Sequence, residues 1–212
     1  QYYKKFIEVM VTKLGFIKCL ADPCLLKHEN ETGTLVVCVY VDNILCIGDR
    51  RAIDSIKDEL TKYFSVKDEG RMEEYVGCSV LRNSIGDIIL HQPYLIKKIN
   101  REFGKELNDV RAVTTPAAAG DSVVKMTDDE KLRGGLPKER QTRYRSGVGM
   151  LLYLVKFSRP DISNSVRELT KAMYCANETH YKALTCVLKY VMPTSNLGLK
   201  YDSGTMVNFK GA

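Results

Sequence analysis

The stretch Thr34-Leu-Val-Val-Cys-Val-Tyr-Val-Asp-Asn-Ile-Leu-Cys-Ile-Gly48 decides how this chain folds. Apolar or aromatic residues fill positions 35–41, the polar pair Asp42-Asn43 follows, and further apolar residues fill positions 44–47. Two short runs rich in β-branched residues around so brief a polar step predict a buried β-hairpin whose tight turn is Asp42-Asn43.

The charged turn of this hairpin has two interpretations. Asp and Asn both tolerate the backbone conformation of a hairpin turn, so the pair can be turn chemistry and nothing more. A carboxylate at the tip of an apolar hairpin also needs a partner, and a bound cation would serve as one. The residues of the turn alone leave both interpretations open.

The composition is that of an ordinary globular protein, with 44% hydrophobic and 27% charged residues in a chain of 212. This length allows one large domain or two small ones. No apolar run approaches the roughly 18–20 residues that span a bilayer, and no basic-then-apolar leader follows Gln1. We therefore expect an intracellular protein, cytoplasmic or nuclear, without a membrane partner.

The seven cysteines argue against a disulfide framework or a zinc site. Their number is odd, none forms a Cys-x-x-Cys pair, and no second pair at zinc-site spacing accompanies Cys19 and Cys24. We predict reduced thiols that pack as small apolar side chains.

The charge is distributed unevenly along the chain, whose formal net charge is +6. Residues 1–110 hold 16 Lys and Arg against 17 Asp and Glu, a net charge of −1, whereas residues 111–212 hold 16 against 9, a net charge of +7. This asymmetry predicts a polyanion contact made by the second half, with nucleic acid as the leading candidate. A solvated basic surface is the alternative.

Outside the central hairpin, the spacing of apolar residues predicts several helices and a second hairpin. Residues 75–81 and 88–91 form that hairpin, and residues 104–142, which have few apolar repeats, form a linker or long surface loop. Ser158-Arg-Pro-Asp161 predicts a helix start capped by Ser158. Helices are expected over residues 2–14, 51–64, 93–103, 148–155, 162–173 and 184–191. The mixture predicts an α+β fold, an antiparallel sheet with helices on one face.

Several motifs then occur in the order of one known family. The chain resembles the reverse transcriptase domain of Ty1/copia-type retrotransposon Pol polyproteins over nearly its whole length. Tyr40-Val-Asp-Asn43 resembles the Tyr-x-Asp-Asp hairpin of that family, with Asn in place of the second Asp. Other matching stretches are Gly15-Phe16, Asp22-Pro-Cys-Leu-Leu26, the segment from Lys67 to Tyr75-Val-Gly77, Leu90-His-Gln-Pro-Tyr94, Thr115-Pro116, Tyr144-Arg-Ser-Gly-Val-Gly149, Leu152-Tyr-Leu154, Arg159-Pro-Asp-Ile162, His180-Tyr-Lys-Ala183, Leu188-Lys-Tyr190 and Gly198-Leu199.

The resemblance implies a reverse-transcriptase-like fold with a palm and a helical thumb. Residues 1–110 would form part of the palm, including the active-site hairpin at 34–48, and residues 111–195 the linker and thumb. Residues 196–212 would begin the connection to a ribonuclease H domain. The implied partners are an RNA or DNA template-primer, deoxynucleoside triphosphates, and the remainder of the Pol polyprotein, integrase and ribonuclease H.

The resemblance also implies a two-metal nucleotidyl transfer that uses Mg²⁺ or Mn²⁺. The family supplies one Asp from an earlier strand and two from the hairpin turn. The earlier Asp strand is expected to precede this sequence, so that Asp42 is the one matching carboxylate and metal ligand, and Asn43 offers only a neutral amide oxygen. We therefore expect no polymerase activity from residues 1–212.

Further site residues follow from the same resemblance. Tyr40 and Val41 would lie beside the primer terminus and the incoming nucleotide. Tyr75 and Gly77 would touch the primer strand, with plain sheet packing as the alternative. His91 and His180 are interpreted as structural residues. The cations expected to meet the nucleic-acid backbone are Arg143, Arg145, Lys156, Arg159, Lys182 and Lys189.

Two functions of other classes remain open from the sequence. One is a non-catalytic nucleic-acid-binding module that uses the basic half of the chain. The other is a basic α+β interaction domain without a nucleic-acid role. Primer extension and salt-dependent binding to a template-primer distinguish the three possibilities.

Overall fold

The computed structural model describes residues 2–31, 33–41, 43–107, 113–117, 123, 125–129 and 134–203. The chain divides into two compact units, Gln1–Gly70 and Arg71–Ala212, and each unit has its own four-stranded sheet. The α+β class is therefore confirmed. One sheet was expected from the sequence, and the two sheets of the structure correct that expectation.

The first unit is an antiparallel sheet whose strands are ordered as in the chain. Helix α1 precedes the sheet, and helix α2 follows the central hairpin, both as predicted. The strands are β1 (Ile17–Lys18), β2 (Leu25–Asn30), β3 (Gly33–Tyr40) and β4 (Asn43–Gly48), and the helices are α1 (Tyr2–Thr12) and α2 (Arg50–Thr61).

One face of this sheet carries the core of the first unit. Leu35, Val37 and Val39 alternate along β3 and are buried, because successive side chains of a strand point to opposite faces. They pack in one cluster with apolar residues of both helices, among them Phe6, Met10, Ile56 and Leu60. The predicted buried hairpin is thus fully buried on one face only.

The second unit begins with the predicted second hairpin and adds a strand from the far end of the chain. Strand β5 (Glu74–Tyr75) pairs with β6 (Cys78–Arg82), β6 with β7 (Ile88–His91), and β7 with β8 (Leu199–Tyr201), all antiparallel. Strand β8 was not predicted, because three residues are too few to show a periodic pattern.

Four helices form the core of the second unit. They are α3 (Pro93–Leu107), α4 (Lys138–Phe157), α5 (Ser163–Thr170) and α6 (Glu178–Val191), with a 3₁₀ turn at Pro160–Ile162. Residues from all four, such as Phe103, Leu151, Leu169 and Leu184, share one buried cluster. No helix in the described part of the chain combines the length and the hydrophobicity needed to cross a membrane.

Two local predictions in this unit were wrong. Residues 104–142 were expected to be a loop, but α3 continues to Leu107 and α4 begins at Lys138. Residues 108–112 and several others between these helices lie outside the described residues. Ser158 was expected to cap a following helix, yet it ends α4 and its buried hydroxyl donates to Oε1 of Gln92 at 2.7 Å.

Candidate functional site

The central hairpin reverses between Tyr40 and Asn43, which pair across the two strands. Asn43 is therefore the first residue of β4. It was predicted to be part of the turn, as the second residue of Asp42-Asn43. Asp42, the predicted catalytic residue and metal ligand, lies outside the described residues. Its neighbour Val41 has a φ of +54°.

The described residues of the hairpin tip are open to solvent. Tyr40 is 51% exposed, Val41 is 70% exposed, and Asn43 is exposed as well. A β-branched residue in the left-handed region carries about 1–2 kcal/mol of backbone strain. Strain of this kind concentrates at functional sites, where the surrounding structure holds it in place. The tip is therefore a strained, accessible turn at the end of a well-packed sheet.

The described residues do not fit a site for two divalent cations. Among them, no group of three or more His, Cys, Asp or Glu side chains comes together. Asn43 adds a neutral amide oxygen at the tip, and Mg²⁺ sites depend on carboxylate ligands together with water and phosphate. A complete two-metal site would need carboxylates beyond the described residues.

Strand β4 stands at one edge of its sheet. It pairs with β3 on one side, and no strand pairs with its other side in the part of the chain that the structure describes. Positions 43–48 contain no Pro and no charged side chain, and proteins commonly use both to protect an open edge. The open edge of β4 runs from Asn43 at the hairpin tip.

The second turn assigned to the site has a structural reason for its glycine. Val76 and Gly77 form the β5–β6 turn with φ values of +47° and +71°. A Cβ atom on Gly77 would lie 3.3 Å from the Tyr153 hydroxyl oxygen. That hydroxyl donates to the Val76 carbonyl at 3.0 Å and joins the turn to α4. Tyr75 is half-buried in β5.

The structure changes the interpretation of Arg159. Its guanidinium is 1% exposed, and its Nε and Nη2 atoms donate to the two carboxylate oxygens of Asp161 at 2.9 and 2.8 Å. Nη1 donates to the Thr194 carbonyl at 3.0 Å, and Nη2 also donates to the Thr194 hydroxyl. A phosphate cannot reach this group, so Arg159 has a structural role in place of the predicted backbone contact.

The other predicted cations fall into two groups. Arg143 forms an ion pair with Glu106 at 2.6 Å and lies over the Phe103 ring, and the Arg145 guanidinium donates to the carbonyls of Met173 and Tyr174. These two arginines join α4 to neighbouring segments. Lys156 and Lys182 are exposed and Lys189 is partly exposed, and none of the three has an ion pair among the described residues.

The two histidines have different surroundings. His180 is buried near the start of α6, where its Nδ1 accepts from the Asn177 backbone N–H and its own N–H donates to the Asn177 side chain. This capping box supports the structural interpretation of His180. The Nε2 atom of His91 is buried without a hydrogen-bond partner among the described residues.

Sequence reasoning missed the residues that organise these sites from a distance. Tyr153 was assigned no role, and Asp161 was read only as the acid of a helix start, but their contacts hold the β5–β6 turn and Arg159. Tyr153 and Val76 are 77 positions apart. No local pattern could have indicated this pairing.

Comparison with known proteins agrees with the order of motifs. Residues 1–119, more than half of the chain, match the family described as reverse transcriptase (RNA-dependent DNA polymerase). A Saccharomyces cerevisiae protein named for transposon Ty5-1 is 29% identical over 207 residues, which cover 97% of this chain and 64% of that protein. No solved structure gives a significant match.

Two plant relatives are retrovirus-related Pol polyproteins. The one from transposon RE1 of Arabidopsis thaliana is 30% identical over 208 residues, 98% of this chain and 13% of the polyprotein. The one from transposon TNT 1-94 of Nicotiana tabacum is 28% identical over 202 residues, 92% of this chain and 15% of the polyprotein. The chain thus spans less than two thirds of the yeast relative and a small part of either polyprotein.

Proposed function

Because the chain belongs to the reverse transcriptase (RNA-dependent DNA polymerase) family, we propose that it forms part of the template-primer-binding and nucleotide-addition machinery of a retrotransposon polymerase. The predicted resemblance to Ty1/copia-type Pol polyproteins is confirmed by the transposon relatives. The RNA or DNA template-primer, the deoxynucleoside triphosphate and the Mg²⁺ or Mn²⁺ ions are proposals that rest on this membership.

The observation that carries the proposal is the geometry of the central hairpin. The motif Tyr40-Val-Asp-Asn43 spans a reversal in which Tyr40 pairs with Asn43, and the described tip residues are solvent-exposed. A polymerase site needs its nucleotide-facing residues at such an accessible tip, with a rigid sheet behind them. We assign Tyr40 and Val41 to the vicinity of the primer terminus, and Asp42 to metal binding.

Residues 1–212 do not by themselves provide the ligands of a two-metal site. When bound, two divalent cations stabilise the attacking and leaving oxygens of the transfer. Asp42 is one carboxylate of the family set, and Asn43 carries no charge. We propose that the further Asp strand of the family pairs with the open edge of β4, where its carboxylate would come beside the hairpin tip.

The proposal predicts that this polypeptide alone is inactive. We expect no template-dependent extension of a labelled primer on an RNA template with Mg²⁺ or Mn²⁺, because the carboxylate set is incomplete. The measurement is gel-resolved primer extension, with a complete Ty1/copia-type polymerase as positive control. Extension that disappears when Asp42 is changed to Asn would contradict the prediction.

If a longer parent polyprotein supplies the earlier Asp strand, the role of Asn43 is tested there. There, Asn43→Asp should raise primer extension, because it restores a second carboxylate at the tip. Asn43→Gln is the matched control, since it keeps a neutral amide. Equal activity of wild type and Asn43→Asp would show that Asn43 does not limit catalysis.

A second candidate, a non-catalytic nucleic-acid-binding module, is favoured by one observation. The unit Arg71–Ala212 contains 22 Lys and Arg against 15 Asp and Glu, a net charge of +7. Binding of a template-primer without any gain of activity in the parent polyprotein carrying Asn43→Asp would favour this candidate.

A further inference from the structure

Helix α3 has a face of one charge sign that the sequence analysis did not assign to any role. Its residues Tyr94, Lys97, Lys98, Arg101 and Lys105 lie opposite the buried side formed by Ile96, Ile99 and Phe103, as the 3.6-residue period requires. All five are exposed, and Tyr94 is 63% exposed. We call these five residues the α3 ridge.

The acidic residues of α3 are turned away from this ridge. Glu106 pairs with Arg143 of α4 at 2.6 Å and accepts from the Tyr181 hydroxyl of α6 at 2.9 Å. Glu102 accepts from Arg143 through its carbonyl and from Ser146 through its carboxylate at 3.5 Å. Contacts within the unit therefore use the acids of this helix and leave its cations outside.

The four cations of the ridge have no acidic partner among the described residues. Lys98, Arg101 and Lys105 make no ion pair or hydrogen bond there, and Lys97 lies over the Tyr94 ring with its Nζ atom 5.9 Å from the centroid. The rise of an α-helix places Lys97, Arg101 and Lys105 along one side over about 12 Å. Such a row is complementary to a chain of phosphates.

We propose that the α3 ridge binds the phosphate backbone of nucleic acid. Lysine and arginine contacts to phosphates supply the sequence-independent part of nucleic-acid affinity. An exposed tyrosine among cations adds a surface on which a base or sugar can pack. The neighbouring helix α6 carries Lys182 and Lys189, which the sequence analysis had already assigned to the backbone.

This inference rests on the proposed function, since it names a further contact to the same template-primer. It is separable from catalysis, because phosphate binding by the ridge needs neither Asp42 nor a metal ion. The ridge also supplies exposed cations in place of three that were first assigned to the nucleic-acid backbone. Of those three, Arg159 is buried, and Arg143 and Arg145 make contacts within the unit.

The experiment compares two matched variants of the whole chain. One replaces the ridge cations, Lys97→Gln, Lys98→Gln, Arg101→Gln and Lys105→Gln. The control replaces three lysines and one arginine of the first unit, Lys4→Gln, Lys5→Gln, Lys13→Gln and Arg51→Gln, which lie on its helices or, for Lys13, directly after α1, and are also exposed. Both lose four positive charges, so any difference reports position and not net charge.

Binding is measured by fluorescence anisotropy with a labelled RNA–DNA hybrid, titrated at several salt concentrations from about 50 to 200 mM. We expect the ridge variant to lower the slope of log affinity against log salt by about 3–4, as four lost phosphate contacts predict for a duplex. The control should lower it by less than about 1. Circular dichroism and urea midpoints verify that both variants remain folded.

Three results would overturn the inference. The ridge variant could bind with the slope of the wild type, or the control could lose as much as the ridge variant, which would reduce the effect to overall charge. Either result leaves the polymerase assignment intact, since that is tested by primer extension in the parent polyprotein. Failure of the wild-type chain to bind the hybrid at low salt would also overturn the ridge proposal. Catalysis would still be tested separately by the Asn43→Asp variant.

Discussion

The guanidinium of Arg159 and the ammonium of Lys156 stand three positions apart in the sequence but in opposite environments. Arg159 is buried and satisfied by Asp161 and Thr194, whereas Lys156 is exposed, with its Nζ atom 5.0 Å from the Phe157 ring centroid. Burial by itself would raise the pKa of Asp161, but the hydrogen bonds and charge of Arg159 hold that pKa below its usual value. The carboxylate is thus ionised and depends on its arginine.

The two cations should therefore respond differently to replacement. Arg159→Met is expected to lower the free energy of unfolding by about 3 kcal/mol, the low end for breaking a buried pair, because Asp161 is partly exposed. It should leave the salt slope of nucleic-acid binding unchanged. Lys156→Met should leave stability unchanged and lower that slope by about 1.

Urea denaturation and anisotropy titration measure the two effects on the same samples. A variant Arg159→Met that is as stable as the wild type would contradict the structural role, and a reduced salt slope in that variant would restore the predicted phosphate contact.

Besides its pairing with β7, strand β8 is tied to the second sheet by one buried carboxylate. Asp87 is 2% exposed and accepts from the Ser203 backbone N–H at 3.0 Å, from the Lys200 ammonium at 2.9 Å and from the Asn83 amide at 2.9 Å. These contacts, led by the Ser203 backbone hydrogen bond, hold the pKa of Asp87 far below its usual value. The Ser203 hydroxyl also donates to the Ile85 carbonyl at 2.8 Å.

The attachment of β8 should weaken in acid. Since the folded pKa of Asp87 is depressed, its contribution to stability is complete above the unfolded pKa of about 4 and is lost as the pH falls below that value. Asp87→Asn should be less stable than the wild type at neutral pH and should lose less stability between about pH 4 and pH 2.5.

Urea midpoints across this pH range provide the measurement. Asp202→Asn is the matched control, because Asp202 also pairs with Lys200, at 2.6 Å, but is largely exposed. Parallel pH profiles for the wild type and Asp87→Asn would show that Asp87 does not hold the strand through its charge.

At the scale of the whole chain, the net positive charge lies in the second unit, and the cysteines form no disulfide. The unit Gln1–Gly70 has a net charge of −1, from 10 Lys and Arg against 11 Asp and Glu, while the unit Arg71–Ala212 has +7. The seven cysteines are free thiols, of which Cys78 is buried, Cys19 is exposed and the other five are partly exposed. Burial raises the pKa of the Cys46 and Cys78 thiols and so limits their thiolate form.

Stability should accordingly be independent of reductant. We expect the same Tm with and without dithiothreitol, because the fold contains no disulfide. Reduction therefore cannot increase the conformational entropy of the unfolded chain. A thiol reagent should modify exposed Cys19 quickly and buried Cys78 slowly. A lower Tm in dithiothreitol would reveal a cross-link that the structure does not contain.

Local information was enough for much of the fold and for the family. The spacing of nearby apolar residues predicts the two hairpins and the helices α1 and α2. Leu35, for example, belongs to the apolar run of the central hairpin, and Ile56 to the apolar stripe of α2. The family membership depends on the order of short motifs such as Tyr40-Val-Asp-Asn43, and order is also a property of sequence. The expected location of the turn was one residue late, because Val41 was not expected at a positive φ.

Contacts between distant residues decided the rest. Asp87 and Ser203 are 116 positions apart, so no local pattern predicts that β8 completes the second sheet. A cation's role depends on whether folding buries it beside a carboxylate, as with Arg159, or leaves it on an open face, as with Arg101. The α3 ridge exists because Glu102 and Glu106 turn toward α4 and α6. The sequence thus determined the elements and the ancestry of the chain, and tertiary packing determined which of its charges remain available to a partner.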